Sequence, residues 1–245
     1  MKFTTAVIAA SAMAAASCAI SGNPPGRPAP GSEVTRPDKV MDFESLYGSN
    51  CAGCHGSEGR GGAAVSLADP VYLAVADDVV IRKAVSNGVP ETAMPAFARQ
   101  SGGMLTNEQI EGLVAGVRSR WAKPDILRGA RPPPYSDPEP GDPQRGSEVY
   151  GVYCSSCHGA EGGGGDQASS IVDDSYLALV SDQGLRTTVI VGRRELGAPD
   201  WRNNAPGKVM TDEDITDVVS WLISQRKQVP GQPYPTPPIT MGAAP

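Results

Sequence analysis

Histidine occurs twice in these 245 residues, and aromatic side chains make up only 5% of them. A chain so poor in aromatics, with 29 Gly and 23 Pro, has small cores and long irregular connections. The length allows two modest domains with linkers, and domains of that size are marginal on hydrophobic burial alone. Such domains recruit disulfides, a metal or a large bound cofactor. Positive charge is also short. Lys and Arg number 21 against 27 Asp and Glu, a net charge of −6, and no basic run exceeds Arg193-Arg194. That excludes the footprint of a nucleic-acid binder. No hairpin signal occurs. The apolar stretch at residues 1–17, MKFTTAVIAASAMAAAS, is too short to span a membrane.

That stretch has one Lys followed by an uncharged, Ala-rich run, the layout of a secretory signal. Ala15-Ala16-Ser17-Cys18 resembles the bacterial lipobox, in which small residues precede a Cys that becomes lipidated and amino-terminal. Ala15 stands where Leu is usual. Of five Cys, four fall in paired motifs and Cys18 is left over, and a leftover Cys in a secreted chain needs a reason. The alternative is a cut at Ala14-Ala15-Ala16 that leaves Cys18 free. Residues 18–37 read as a Pro/Gly-rich tether.

The rest of the chain repeats itself. Tyr47-Gly48 and Cys51-Ala52-Gly53-Cys54-His55-Gly56 align with Tyr150-Gly151 and Cys154-Ser155-Ser156-Cys157-His158-Gly159. Tyr72-Leu73-Ala74 aligns with Tyr176-Leu177-Ala178, Gly88 with Gly192, and Thr106 and Ile110 with Thr211 and Ile215. The slow drift in offset, one residue of it gained in the Gly-rich loop of the second copy, is that of duplicated domains. The copies are placed at 38–121 and 140–228, with a stiff Pro-rich linker at 122–139 and a Pro-rich tail at 229–245. Both copies read as all-α. Thr106 and Thr211 cap a final helix in each. Ile110, Leu113, Val114, Val117 and Trp121 share one face of the first, and Ile215, Val218, Val219 and Leu222 one face of the second. Arg226-Lys227 are expected in the last turn of the second. A shorter helix precedes each Cys pair, with Phe43, Leu46 and Tyr47, or Val149, Tyr150 and Tyr153, turned inward.

The motif C-x-x-C-H carries the chemistry. Two Cys at this spacing on a helix end can form thioethers to the two vinyl groups of one haem, and the adjacent His projects to its iron. A zinc site needs four ligands, and each copy supplies two Cys and one His. A redox dithiol wants a βαβ setting, which is absent. Covalent haem is therefore expected on Cys51 and Cys54 with His55, and on Cys154 and Cys157 with His158.

Each copy resembles a class I cytochrome c domain, and the resemblance covers most of the mature chain. It implies an all-α fold of two tandem cytochrome c domains, two haem c groups, and a distal loop with a ligand Met followed by Pro. Met94-Pro95-Ala96-Phe97 matches that loop in the first copy, and Met94 is the implied sixth ligand. Met104, beside the helix cap, is its competitor but reads as a core filler. In the second copy Gly197-Ala198-Pro199-Asp200-Trp201 keeps the Pro and loses the Met. Both His are already proximal, so bis-His ligation is excluded by counting. Met210, the one Met of this copy, is the expected ligand. An open site, with Met210 merely packing as Leu105 does, and ligation by deprotonated Lys208 remain alternatives.

The function implied is electron transfer by a membrane-anchored dihaem cytochrome, secreted across the inner membrane into the periplasm. It would act as a carrier or as the cytochrome subunit of a respiratory or dehydrogenase complex. Redox proteins are the expected partners, and no catalytic residue or small-molecule substrate is expected. The alternative is a haem enzyme or small-gas sensor that uses an open second haem.

Overall fold

The computed structural model describes residue 31 and residues 34–90, 92–137 and 139–227. The expected signal, Cys18 and the carboxy-terminal tail lie outside them. Among the described residues, ten α-helices and three short 3-10 turns make up the regular structure, with no strand beyond isolated bridges. The all-α expectation holds. Two units are distinguished, one ending at Lys39 and one starting at Val40. In the first, Pro37–Lys39 forms a 3-10 turn.

Local chemistry sets the helix starts. α1 (Phe43–Asn50) is capped by Asp42, whose side chain accepts from the Ser45 N–H at 2.9 Å. It runs through Cys51 into the single turn α2 (Ala52–His55). α3 (Pro70–Val75) has Pro at its start, and Asp69 accepts from the Val71 and Tyr72 N–H groups at 2.7 and 3.1 Å. α4 spans Asp78–Asn87, and α5 (Asn107–Trp121) opens on the expected Thr106–Gln109 capping box. The second copy repeats the order as α6 (Pro143–Tyr153), α7 (Ser155–His158), α8 (Asp174–Leu179), α9 (Asp182–Val191) and α10 (Asp212–Ser224). Its capping box pairs Thr211 with Asp214.

In each copy the first and last helices pack together, α1 on α5 and α6 on α10. The expected apolar faces are buried, apart from half-buried Phe43, Trp121 and Tyr153. A glycine admits a large side chain at each crossing, from opposite helices. In the first copy Phe43 of α1 lies on Gly116 of α5, where an added Cβ would fall 2.0 Å from the Phe43 ring. In the second copy the aligned positions are reversed. Gly146 of α6 faces α10, and an added Cβ would come 2.0 Å from the Asp217 carbonyl oxygen and 2.8 Å from the Trp221 Cβ.

Arg226 and Lys227 lie beyond the end of α10 at Ser224, not in its last turn. Arg226 reaches back to the Leu177 and Val180 carbonyls at 3.0 and 2.7 Å, so it closes the end of α8 instead. Arg118 does the same for α3, donating to the Leu73 and Ala76 carbonyls.

The stretch between the copies does more than space them. Ile126, Leu127 and Tyr135 pack on one apolar cluster built from both copies, which joins Val71, Leu73 and Val114 to Tyr150, Trp201 and Val218. Gln183 donates to the Tyr135 carbonyl at 2.7 Å, Arg186 to the Pro134 carbonyl, and Arg202 to the Ile126 carbonyl at 3.2 Å. The Tyr72 hydroxyl bonds that of Tyr135. The second copy's side chains thus take up backbone carbonyls along this stretch. α3 also packs on α9, and Arg194 grips buried Asp69 with two hydrogen bonds of 3.1 and 2.9 Å.

Candidate haem-binding sites

Both C-x-x-C-H motifs have the same backbone. The His55 N–H donates to the Cys51 carbonyl at 3.0 Å and the Cys54 N–H to the same oxygen at 3.2 Å. His158 and Cys157 donate to the Cys154 carbonyl at the same two distances. This one turn sets two sulfurs and an imidazole at fixed offsets along a helix end. Gly56 and Gly159 then turn the chain at φ 81° and 79°. A side chain at Gly56 would run into the Arg60 carbonyl, since its Cβ would sit 1.8 Å from that oxygen. Tyr47 and Tyr150 brace the turns by donating to the Gly56 and Gly159 carbonyls at 2.8 and 2.5 Å.

The loop that follows holds each imidazole. His55 Nδ1 lies 2.8 Å from the Val65 carbonyl oxygen, and His158 Nδ1 lies 2.8 Å from that of Ser169. A carbonyl only accepts, so Nδ1 carries the proton and Nε2 keeps its lone pair for a metal. The second loop is one residue longer and reaches the same end. His55 is buried, and its burial lowers the imidazole pKa below the usual value against the opposing bond to Val65, which favours the neutral, ligating form.

The sulfurs have the complementary character. Burial, aided by the neighbouring Cys54, pushes the Cys51 thiol up to about 11, and burial with Cys157 pushes Cys154 up to about 12. A nucleophilic redox dithiol needs a depressed pKa. These positions instead favour an uncharged sulfur, and a thioether is one. Thiols, imidazoles and loops therefore fit a covalently held haem in both copies.

The distal loops share two hydrogen bonds and differ in others, since the Ala198 N–H donates to the Arg193 carbonyl at 3.0 Å where the Met94 N–H turns to a side chain. The Val89 N–H donates to the Met94 carbonyl at 3.1 Å, and the Arg193 N–H donates to the Ala198 carbonyl at 3.1 Å. Gly88 and Gly192, at φ 71° and 72°, let the two loops fold back closely. The Leu105 N–H donates to the Phe97 carbonyl at 2.8 Å, as the Met210 N–H does to that of Trp201 at 3.0 Å. Met94 is half-buried, with its N–H donating to the Thr92 hydroxyl at 3.2 Å.

Met104, expected to fill the core, is 79% exposed, because Leu105 takes the inward place beside the cap. Met210 is 3% exposed and belongs to the shared apolar cluster, and its sulfur accepts from the Asn204 amide at 3.4 Å. Lys208 lies exposed on the turn between them. Sequence reasoning missed Asp200, a buried carboxylate in the second distal loop, which accepts from Arg202 at 2.9 and 2.7 Å. It also missed Asp69–Arg194. Neither pair has a sequence signature, since one spans 125 positions and the other is two apart in a loop.

A helical pair of domains, each with a Cys-Cys-His turn whose imidazole is held through Nδ1 and leaves Nε2 for a metal, defines a c-type cytochrome. Residues 38–115 and 141–222 match the family model described as "Cytochrome C oxidase, cbb3-type, subunit III", and the chain belongs to that family of cytochrome c domains. It is 29% identical over 152 residues to the Cbb3-type cytochrome c oxidase subunit FixP of Sinorhizobium medicae, covering 58% of this chain and 47% of that protein. It is 24% identical over 206 residues to the cytochrome bc1 complex cytochrome c subunit of Corynebacterium diphtheriae, covering 79% and 68%. The chain thus spans about half the length of the FixP subunit. Among solved structures, a reducing HAO-like protein complex of Kuenenia stuttgartiensis is similar with a TM-score of 0.43 at 18% identity, over 79% of this chain and 100% of that one. Membership makes this an electron-transfer protein with covalently bound haem c. No helix among the described residues is long and apolar enough to cross a membrane.

Proposed function

We propose that the chain is a dihaem cytochrome lipoprotein, anchored through Cys18 and exposed to the periplasm, that passes electrons as the cytochrome subunit of a respiratory complex. The observation carrying the two-haem reading is the duplicated proximal site: two imidazoles, each fixed by a 2.8 Å bond from Nδ1 to a backbone carbonyl. Cys51, Cys54 and His55 would hold the first haem, with Met94 as its sixth ligand. Cys154, Cys157 and His158 would hold the second. The domains are 38–121 and 140–228, behind a signal at 1–17 and a tether at 18–37. Relatives named as oxidase and bc1-complex subunits support a complex over a free carrier.

Bound haem supplies a reversible one-electron couple. The protein's part is to hold each iron by an imidazole whose Nδ1 is fixed by a backbone carbonyl, to bury the Cys51 and Cys154 positions, and to fix one domain against the other. The shared core and the Asp69–Arg194 bridge serve the last task. No step in this role consumes a small-molecule substrate, and no catalytic residue is assigned.

Acid-acetone extraction should leave haem on the polypeptide, and a pyridine haemochrome assay should count two per chain. One haem, or extractable haem, would sink the dihaem reading. Intact mass of the mature protein should show an acylated Cys18, and a soluble chain with unmodified Cys18 would remove the anchor. Purification from detergent-solubilised membranes should bring the complex along. Recovery of the cytochrome alone would favour the free carrier.

A further inference from the structure

We infer that the iron of the second haem has no protein group at its distal position and binds a small neutral diatomic ligand there. This rests on the two-haem reading above and adds a ligand site to it. The matching bonds Val89–Met94 and Arg193–Ala198 put Ala198 at the place of the first copy's Met, and a methyl group cannot ligate. Met210 does not replace it. It stands at the register of Leu105, fixed by the same bond to the residue at the Phe97 position, and next to the same Thr cap.

Its surroundings are those of a packing residue. Leu105 is 5% exposed among Leu46, Tyr47 and Ile110, and Met210 is 3% exposed in the cluster of their counterparts Val149, Tyr150 and Ile215. The sulfur is engaged as well, by the Asn204 amide at 3.4 Å. To reach an iron, Met210 would have to leave a filled core position and open a cavity behind it.

Charge on the loop sets the ligand class. Arg193 pairs with Glu195 at 2.5 Å, Arg194 with Asp69 at 2.9 Å, and Arg202 with Asp200 at 2.7 Å. An anion would find each arginine of residues 192–202 already neutralised. A neutral diatomic needs no such partner.

Carbon monoxide is the probe. Titrated into the dithionite-reduced full-length holoprotein and followed in the Soret band, it should bind one per two haems. Met94→Ala should raise this to two per chain, and Ala198→Met should lower it to none while turning the ferric second haem low-spin. Met210→Leu, which keeps the packing, should leave the wild-type value and spectrum unchanged. A wild type that takes up no carbon monoxide while the haemochrome assay counts two haems overturns the inference. Met210→Leu or Lys208→Ala would then identify the ligand by opening the site. A count of one haem would defeat the two-haem reading instead, a separate outcome.

Discussion

Asp200 is a carboxylate that the folded chain keeps charged in a buried place. Burial raises its pKa, but the Arg202 side chain and backbone N–H outweigh that and hold it below the usual carboxylate value. Its contribution to stability is complete above the unfolded pKa of about 3.9 and is lost as pH falls through the lower folded value. Acid unfolding followed by circular dichroism should therefore be less steep below pH 4 in Asp200→Asn than in the wild type. An unchanged acid limb would mean that the pair adds nothing. Met94 makes the other residue-scale prediction. As the proposed thioether ligand of the first iron, its change to Ala should abolish the sulfur-to-iron band of one haem and lower that haem's potential. An intact band would exclude Met94. Met94 was named as a candidate from the sequence because Met94-Pro95 resembles the distal loop of class I cytochrome c domains. The exposure of Met104 was not legible, because composition near a cap does not say which of two adjacent apolar residues turns inward.

Among the elements, the caps of the two final helices were readable: Thr106 with Gln109 and Thr211 with Asp214 both form reciprocal caps. Their signals lie within four residues, where side chain and backbone meet regardless of the tertiary fold. The glycines that seat each helix crossing were invisible, since a glycine announces no partner. At Gly116 an added methyl meets the edge of the Phe43 ring, which can swing, whereas at Gly146 it meets the Asp217 backbone carbonyl. Gly116→Ala should then cost about 1–3 kcal/mol in overpacking, and Gly146→Ala more. Thermal unfolding of the two holoproteins checks the order, and an equal or inverted pair of shifts would refute it.

Across the whole molecule, the Pro-rich stretch read as a stiff linker also packs between the copies. That packing was not legible, because Pro134 and Tyr135 find their partners about fifty residues away in α9. One cluster spanning both copies predicts one cooperative transition, with no separate melting of two domains. Two resolved calorimetric peaks would contradict it. Arg194→Ala leaves the buried Asp69 without its ion-pair partner, at a cost of about 1–3 kcal/mol, and should begin to separate the copies in the same scan. The net charge of −6 adds a kinetic expectation: docking to a basic partner should slow as salt rises.

The reversed crossings bear on how the chain assembles. Tandem repeats risk mating the first helix of one with the last helix of the other while both are still forming. Here α1 against α10 would drive Phe43 onto Trp221, and α6 against α5 would set Gly146 over Gly116 and leave a void. One wrong pairing is overfilled and the other underfilled, so each helix discriminates its own partner by shape. Two copies of one ancestral fold have thereby become mutually unrecognisable at their innermost contact.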